Sequence, residues 1–194
     1  MPISINDLYE KIDRAIIFLS ENDWMDKWKI QKGVFYFLWL DSINNKYAFR
    51  DIANKMQIEP NRQGPYSESI GSEVGILIRE GYLESSDINS KILPVKSTQK
   101  GKDSFLQHLK SNERFCLSQI RDILEKLESD EVIFFVYFNP YIPDDVKSYF
   151  LSRSEMKQSL ISQKESYIKK LLSKEIIDES TADKMRDNIV KIQQ

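Results

Sequence analysis

The stretch NRQGPYSESIGSEVGILIREGYLE, residues 61–84, decides the fold. It opens with turn residues and reaches Ser67, whose hydroxyl can cap a following helix. Apolar residues then recur at helical spacing, at Ile70, Val74, Leu77 and Ile78. This spacing predicts a helix from Ser67 to Glu80, with Gly81 at the position that glycine prefers just after a helix.

Two short extended runs follow the predicted helix. YLESS, residues 82–86, and KILPV, residues 91–95, flank a polar turn at residues 87–90, which predicts a β-hairpin. Proline cannot donate a hydrogen bond to a neighbouring strand, so Pro94 predicts that the second strand lies at the edge of its sheet. The hairpin is therefore expected to be a small feature of the protein surface.

Three segments with apolar residues at helical spacing precede the stretch, and this periodicity predicts helices over residues 4–19, 26–41 and 47–56. The second is apolar around most of its circumference and is expected to lie centrally. Followed by the capped helix and the hairpin, the three helices give the element order of a winged helix, in which a short hairpin follows a three-helix core. We therefore expect a mainly α fold with a small β-hairpin: a winged helix-turn-helix core plus a C-terminal helical extension.

The chain is expected to have three regions. Residues 1–110 form the winged-helix domain with its N-terminal helix, and residues 111–150 form a helical subdomain packed on it. The apolar run VIFFVYF, residues 132–138, fits a buried strand or a buried helix, and the helices around it favour a helix. Residues 151–194 carry a sparse apolar series with a break, which predicts a helical hairpin able to pack on the parent domain or on a second subunit.

Composition limits the class of protein. Of the 194 residues, 41% are hydrophobic and 30% are charged, and only 6 are Gly and 6 are Pro. This is typical of a helix-rich globular protein and excludes collagen, a disordered chain and a membrane channel. The net charge of -2 gives no bulk electrostatic reason to bind nucleic acid or a membrane surface.

The longest apolar runs fall far short of the ~20 residues of a membrane span, and no signal-peptide pattern is seen, so we expect a cytoplasmic protein without a membrane partner.

The sequence shows no catalytic pattern. Its one cysteine, Cys116, and one histidine, His108, could complete a zinc site only with two carboxylates from elsewhere. The glycines match neither a dinucleotide-binding motif nor a P-loop. We therefore expect a protein that is not an enzyme and that needs no cofactor or metal.

The segment from Glu113 to Glu128 is predicted to be a further helix. Its apolar stripe is expected to comprise Phe115, Leu117, Ile120, Ile123, Leu124 and Leu127. Acids alternate with this stripe and continue to Glu131, and they are expected to form a solvated face. Residues 111–150 hold 8 acids and 4 bases, and an acidic face beside exposed aromatic rings can dock a basic partner.

Two motifs resemble a group of small prokaryotic winged-helix proteins, which includes the YwgA-type proteins and, more distantly, the Panacea domain of toxin–antitoxin systems. The shared pattern is an L/I-Q-K helix that leads into aromatic residues, then G-P-Y-S before a helix, then a glycine turn into the wing. The matching positions are Ile30, Gln31, Lys32, Gly64, Pro65, Tyr66, Ser67, Leu77, Gly81 and Leu83. KSTQKGKD, residues 96–103, is similar to the L-T-x-K-G segment of the group, but Lys96 and Ser97 replace its Leu and Thr.

The resemblance covers about residues 5–110 and implies a non-enzymatic function. Panacea domains are antitoxins or adaptors that bind a partner protein, and YwgA-type proteins look like regulators. We therefore expect an antitoxin-like protein, an adaptor or an accessory subunit. Tyr66 and Tyr141, each beside a proline-containing turn, are the candidate partner-binding aromatic residues.

A DNA-binding transcriptional regulator, dimeric through residues 151–194, is the alternative. Its phosphate contacts would come from cations around the hairpin: Arg62, Lys91, Lys96, Lys100 and Lys102. However, residues 61–110 hold 7 basic and 6 acidic residues, a smaller excess than dedicated DNA binders show. The helix before the hairpin carries three glutamates against one arginine, which would repel phosphates.

Overall fold

The computed structural model describes residues 3–61, 64–141 and 157–193. The chain is mainly helical, with a small antiparallel sheet. The helices are α1 (Ile5–Leu19), α2 (Lys27–Asn45), α3 (Phe49–Lys55), α4 (Glu68–Arg79), α5 (Gln99–Phe105), α6 (Ser111–Lys126), α7 (Ser129–Phe138), α8 (Lys157–Ser162), α9 (Lys164–Ser173) and α10 (Glu179–Gln193). A 3-10 turn, Leu106–His108, links α5 to α6.

Capping side chains fix where several helices begin. The side chain of Ser67 accepts a hydrogen bond from the backbone N–H of Ile70, so the predicted start of α4 is confirmed. Thr98 caps α5 in the same way, through the N–H of Gly101. At the other end of α4, Gly81 has a φ of 77°, a left-handed conformation that glycine adopts without steric cost.

The run at residues 132–138 is helical, as predicted, because it completes α7. Glu128 and Glu131 form a capping box at the start of this helix, each side chain accepting from the backbone N–H of the other. Its residues from Glu131 to Phe138 are all buried.

The main sheet has three strands: β1 (Met25–Asp26), β4 (Leu83–Ser85) and β5 (Pro94–Ser97), in the order β1-β5-β4. Both pairings are antiparallel, with Asp26 opposite Pro94 and Glu84 opposite Lys96. The predicted hairpin is therefore present, but the edge position predicted for its second strand is wrong. Strand β5 lies in the centre, and Pro94 is tolerated because it is the first residue of the strand.

The segment that the sequence predicts to be a turn contains two further strands. These are β2 (Ile58–Asn61) and β3 (Gly64–Ser67), which form a separate two-stranded sheet. The sequence pattern does not predict these strands, because the segment contains proline and glycine and both residues are rare inside strands.

Two compact units make up the chain: one comprises Met1–Ile58 and Ser67–Leu124, and the other comprises Glu59–Tyr66 and Glu125–Gln194. The sequence places α6 and α7 together in residues 111–150, whereas this division places nearly all of α6 in the first unit and α7 in the second.

Helices α1, α2 and α6 pack closely in the first unit. A Cβ atom at Gly33 of α2 would lie 2.7 Å from side-chain atoms of both Leu19 and Leu124, so a larger residue would require these two leucines to shift. Lys11 of α1 binds two buried carboxylates, with its Nζ 2.9 Å from Asp41 Oδ1 of α2 and 2.9 Å from Glu113 Oε1 of α6. Burial lowers the pKa of Lys11, but its hydrogen bonds to the two carboxylates outweigh this and the net pKa is raised.

In the second unit, α7 contacts both α9 and α10. The rings of Phe134 and Tyr167 stack with centroids 5.0 Å apart, and Glu131 binds the Nζ atoms of Lys170 at 3.2 Å and Lys174 at 2.6 Å. The described apolar stripe of α8, α9 and α10 is buried within the chain: Leu160, Tyr167, Ile168, Leu171, Ala182, Met185 and Ile189. This stripe is therefore not available for the homodimer predicted through residues 151–194.

Within residues 3–61, 64–141 and 157–193, every helix is too short or too polar to span a lipid bilayer.

Candidate interaction surfaces

The two motifs of the resemblance meet where α2 contacts the start of α4. Gln31 Oε1 accepts a hydrogen bond from the backbone N–H of Ser67 at 3.1 Å. Ser67 Oγ donates to the carbonyl of Met56 at 2.6 Å and accepts from the N–H of Ile70 at 3.1 Å. Gln31 and Ser67 are each only 1% exposed. These motif residues therefore hold the fold together and do not face a ligand.

Lys32, the last residue of the L/I-Q-K motif, is also buried. Its Nζ lies 5.6 Å from the ring centroid of Trp28, a cation–π distance. Burial lowers the pKa of the Lys32 amine to about 7, although the carboxylate of Asp26 opposes the shift. At 3% exposure the amine cannot meet a macromolecular partner without a change in the fold.

The loop between β4 and β5, residues 86–93, is called the hairpin tip below. Its base is fixed to α1, because the N–H of Ser97 donates to the carbonyl of Ser20 at 2.8 Å and Ser97 Oγ donates to that of Ile17 at 2.6 Å. The tip itself exposes two isoleucines, Ile88 at 69% and Ile92 at 52%. The predicted polar turn thus holds apolar side chains in solvent.

The cations proposed for phosphate binding differ in their surroundings. Lys91 is exposed and Lys96 and Lys102 are half-buried, and in the described ranges no carboxylate pairs with them. Lys100 is already engaged, because its Nζ donates to the carbonyl of Glu80 at 2.6 Å and lies 4.3 Å from the ring centroid of Tyr82. Arg62 lies outside the described residues.

Helix α4 carries Glu68 and Glu73 against Arg79, a net negative charge. Asp13 of α1 lies close enough to Glu73 of α4 for the two carboxyl groups to interact electrostatically. Burial, then the nearby Glu73 and Glu80, raise the pKa of Asp13 to about 7. An acidic α4 opposes insertion of this helix into a nucleic-acid groove.

The two predicted partner-binding tyrosines lie in different settings. Tyr66, in β3, is half-buried. Tyr141 is 61% exposed; its N–H donates to Asn139 Oδ1 at 2.9 Å, and its ring centroid lies 5.3 Å from the Nζ of Lys184. Tyr141 thus presents an aromatic ring to solvent with a cation beside it.

Helix α6 carries an exposed ring that pattern analysis misses. Phe115 was predicted to lie in the buried stripe of this helix, and that prediction is wrong: it is 67% exposed, whereas Leu117 is fully buried. A finer count could have found it, because Phe115 is followed by the buried set Leu117, Ile120 and Leu124, which leaves it on another side of the helix.

The acids around α6 and α7 do not form one solvated face, so this prediction is wrong. Glu113 is 3% exposed and Glu131 is 2% exposed, and both are paired with lysines. Burial favours the neutral form of Glu113, but the hydrogen bond from Lys11 outweighs it and the pKa of Glu113 is lowered. The exposed acids that remain on α6, Asp122 and Glu125, form a smaller acidic surface.

The histidine and the cysteine of the sequence, His108 and Cys116, differ in their exposure. His108 is exposed, and Cys116 is half-buried, with the pKa of its thiol raised first by burial and then by Asp41. Among the described residues, no three His, Cys, Asp or Glu side chains are placed to hold a metal ion.

Comparison of the sequence with protein-family models and with curated protein sequences finds no match.

Proposed function

We propose that this is a non-enzymatic protein that binds a partner protein, as an antitoxin-like protein, an adaptor or an accessory subunit, on a winged-helix scaffold. The sheet order β1-β5-β4 beside a helical core supports the scaffold. The resemblance of the two motifs supports the class of function, and the burial of Gln31, Lys32 and Ser67 supports a structural role for these motif residues.

The exposure of two aromatic rings, Phe115 at 67% and Tyr141 at 61%, is the observation that carries the proposal. Exposed aromatic rings cost free energy in a free monomer and supply much of the binding energy when they are buried in an interface. Phe115 lies on the same helix as the exposed acids Asp122 and Glu125, a combination that fits a partner with basic residues around an apolar pocket.

A sizing column tests the proposal. The purified protein is mixed with the products of its neighbouring genes, and a complex should elute ahead of either component. Phe115→Ser and Tyr141→Ser should each weaken this complex, whereas Ile43→Ser, which changes a side chain 52% exposed on α2, should not. Absence of a complex with every neighbour removes the support for a partner-binding function.

DNA binding is the second candidate, and the unpaired Lys91, Lys96 and Lys102 favour it. Titration of a promoter fragment at two salt concentrations tests it, because each phosphate contact adds to the salt dependence of the binding constant. Lys91→Gln and Lys96→Gln should reduce both the affinity and this dependence. Binding that is weak and insensitive to salt excludes this function.

A further inference from the structure

The hairpin tip has an arrangement of charged and apolar side chains that repeats at a spacing of four residues. Asp87 is followed by Ile88, and Lys91 is followed by Ile92. All four side chains are exposed, Ile88 at 69% and Ile92 at 52%. One half of the tip therefore carries an acid and an isoleucine, and the other half carries a base and an isoleucine.

The tip is held in a defined shape by its own hydrogen bonds. The N–H of Ser90 donates to the carbonyl of Asp87 at 3.2 Å, and the N–H of Leu93 donates to that of Ser90 at 3.1 Å. The N–H of Lys27 donates to the carbonyl of Ile92 at 3.0 Å, which ties the tip to the start of α2. Because these bonds already order the loop, less conformational entropy is lost when a partner binds it.

The other charges near the tip lie on the strands or cap a helix. Glu84 and Lys96 are opposite each other in the β4–β5 register. The carboxylate of Asp26 caps α2 by accepting from the N–H of Lys29 at 2.7 Å. Asp87 and Lys91 are the charged residues within the tip, one of each sign, and Asp87 Oδ1 also accepts a hydrogen bond from the N–H of Asn89 at 3.0 Å.

We propose that the hairpin tip binds the same tip of a second copy of this chain, in a two-fold homodimer. A two-fold axis between the tips brings Asp87 of each copy to Lys91 of the other and places the isoleucines between the two ion pairs. Such an interface is self-complementary, as an isologous contact must be. A surface with both signs of charge and a small apolar centre fits a copy of itself better than it fits a nucleic acid, which would meet Asp87 with its phosphates. The tip contains neither Phe115 nor Tyr141, so this proposal is separate from the proposed partner protein.

Charge reversal tests the proposal directly. Sedimentation equilibrium of the full chain over about 10 µM to 1 mM should show a reversible dimer. Asp87→Lys gives a tip with two bases, and Lys91→Asp gives a tip with two acids, so each variant alone should dimerise at least about tenfold more weakly. An equimolar mixture of the two variants should form a heterodimer, because every base then faces an acid. This recovery cannot come from misfolded chains.

Matched variants separate the tip from the rest of the surface. Ile88→Ser with Ile92→Ser should weaken the dimer, whereas Ile43→Ser, with the same 52% exposure as Ile92, should leave it unchanged. Asp122→Lys, a charge reversal of the same size on α6, should also have no effect. A chain that stays monomeric over the whole range, or a dimer that neither reversal weakens, overturns the proposal. Either result leaves the proposed partner binding intact, since the sizing column tests that separately.

Discussion

The α2–α4 junction and the exposed surface of α6 show opposite relations between motif and function. At the junction, Gln31 and Ser67 belong to the motifs that carry the resemblance, and both are buried and hydrogen-bonded within the chain. On α6, Phe115 belongs to no motif and is 67% exposed. The comparison teaches that the recognisable residues of this protein specify its fold, whereas the side chains available to a partner carry no sequence signature.

The largest expected effect comes from the buried ion cluster of the first unit. Lys11→Met leaves Asp41 and Glu113 buried without their shared cation, which should lower the free energy of unfolding by about 3–5 kcal/mol. Urea denaturation measures this change. Lys174→Met, in the second unit, should cost much less, because Lys174 is 31% exposed and Lys170 still contacts Glu131. Equal losses in the two variants would contradict the distinction between the clusters.

The next effect concerns the close contact at the start of α5. A Cβ atom at Gly101 would collide with the backbone carbonyl of Tyr82, which cannot move as a side chain can. Gly101→Ala should therefore lower the free energy of unfolding by about 2–3 kcal/mol, measured by urea denaturation. Gly75→Ala is the control: a Cβ there meets no atom within 4 Å, and alanine should stabilise α4 by a few tenths of a kcal/mol or more. Destabilisation of both variants to the same extent would mean that the space around Gly101 is not the cause.

The motif serine gives a smaller effect that tests the comparison itself. Ser67→Ala removes the cap of α4 and leaves the carbonyl of Met56 without the hydrogen bond from the Ser67 hydroxyl. The free energy of unfolding should fall by about 1–2 kcal/mol, measured by urea denaturation. Ser4→Ala, which removes the exposed cap of α1, should cost less. At a temperature where the folded state still dominates, Ser67→Ala should retain partner binding. Loss of binding in a folded variant would show that the motif takes part in binding, and would contradict the assignment of binding to α6 and of a structural role to the motif.

The smallest effect is a stabilisation that depends on pH. Because the pKa of Asp13 is raised to about 7 in the folded protein, ionisation destabilises the fold as the pH rises from about 4 through 7. Asp13→Asn should therefore raise the melting temperature at pH 8 by about 3 °C, a modest value since solvent screens this half-buried group. The gain should shrink as the pH falls below 7 and vanish near pH 4. Asp122→Asn on α6 serves as the control, and a gain for Asp13→Asn that is constant between pH 5 and 8 would rule out this cause.

The sequence predicts the helices better than the sheet. Helix α4 is predicted at both ends, because Ser67 and Gly81 act locally, within one turn of the positions that they terminate. The central position of β5 is not predictable in this way. It depends on β1, whose two residues, Met25 and Asp26, are too few to show any periodicity.

The candidate surfaces are harder to predict for a related reason. Glu113 and Glu131 look like solvated acids because their partners, Lys11 and Lys174, are far away in the sequence. The exposure of Tyr141 agrees with its expected position beside a turn. The exposure of Phe115 follows from the helical spacing of α6, since Leu117, Ile120 and Leu124 lie on the opposite side of the helix, but the broader apolar stripe conceals it.

The most direct test of the account compares hydrogen exchange in the free protein and in its complex with a partner protein. The account predicts new protection of the backbone amides around Phe115 and Tyr141, with the amides of Ser67 and Ile70 equally protected in both states. New protection confined to the start of α4, with no change around Phe115 or Tyr141, would contradict it.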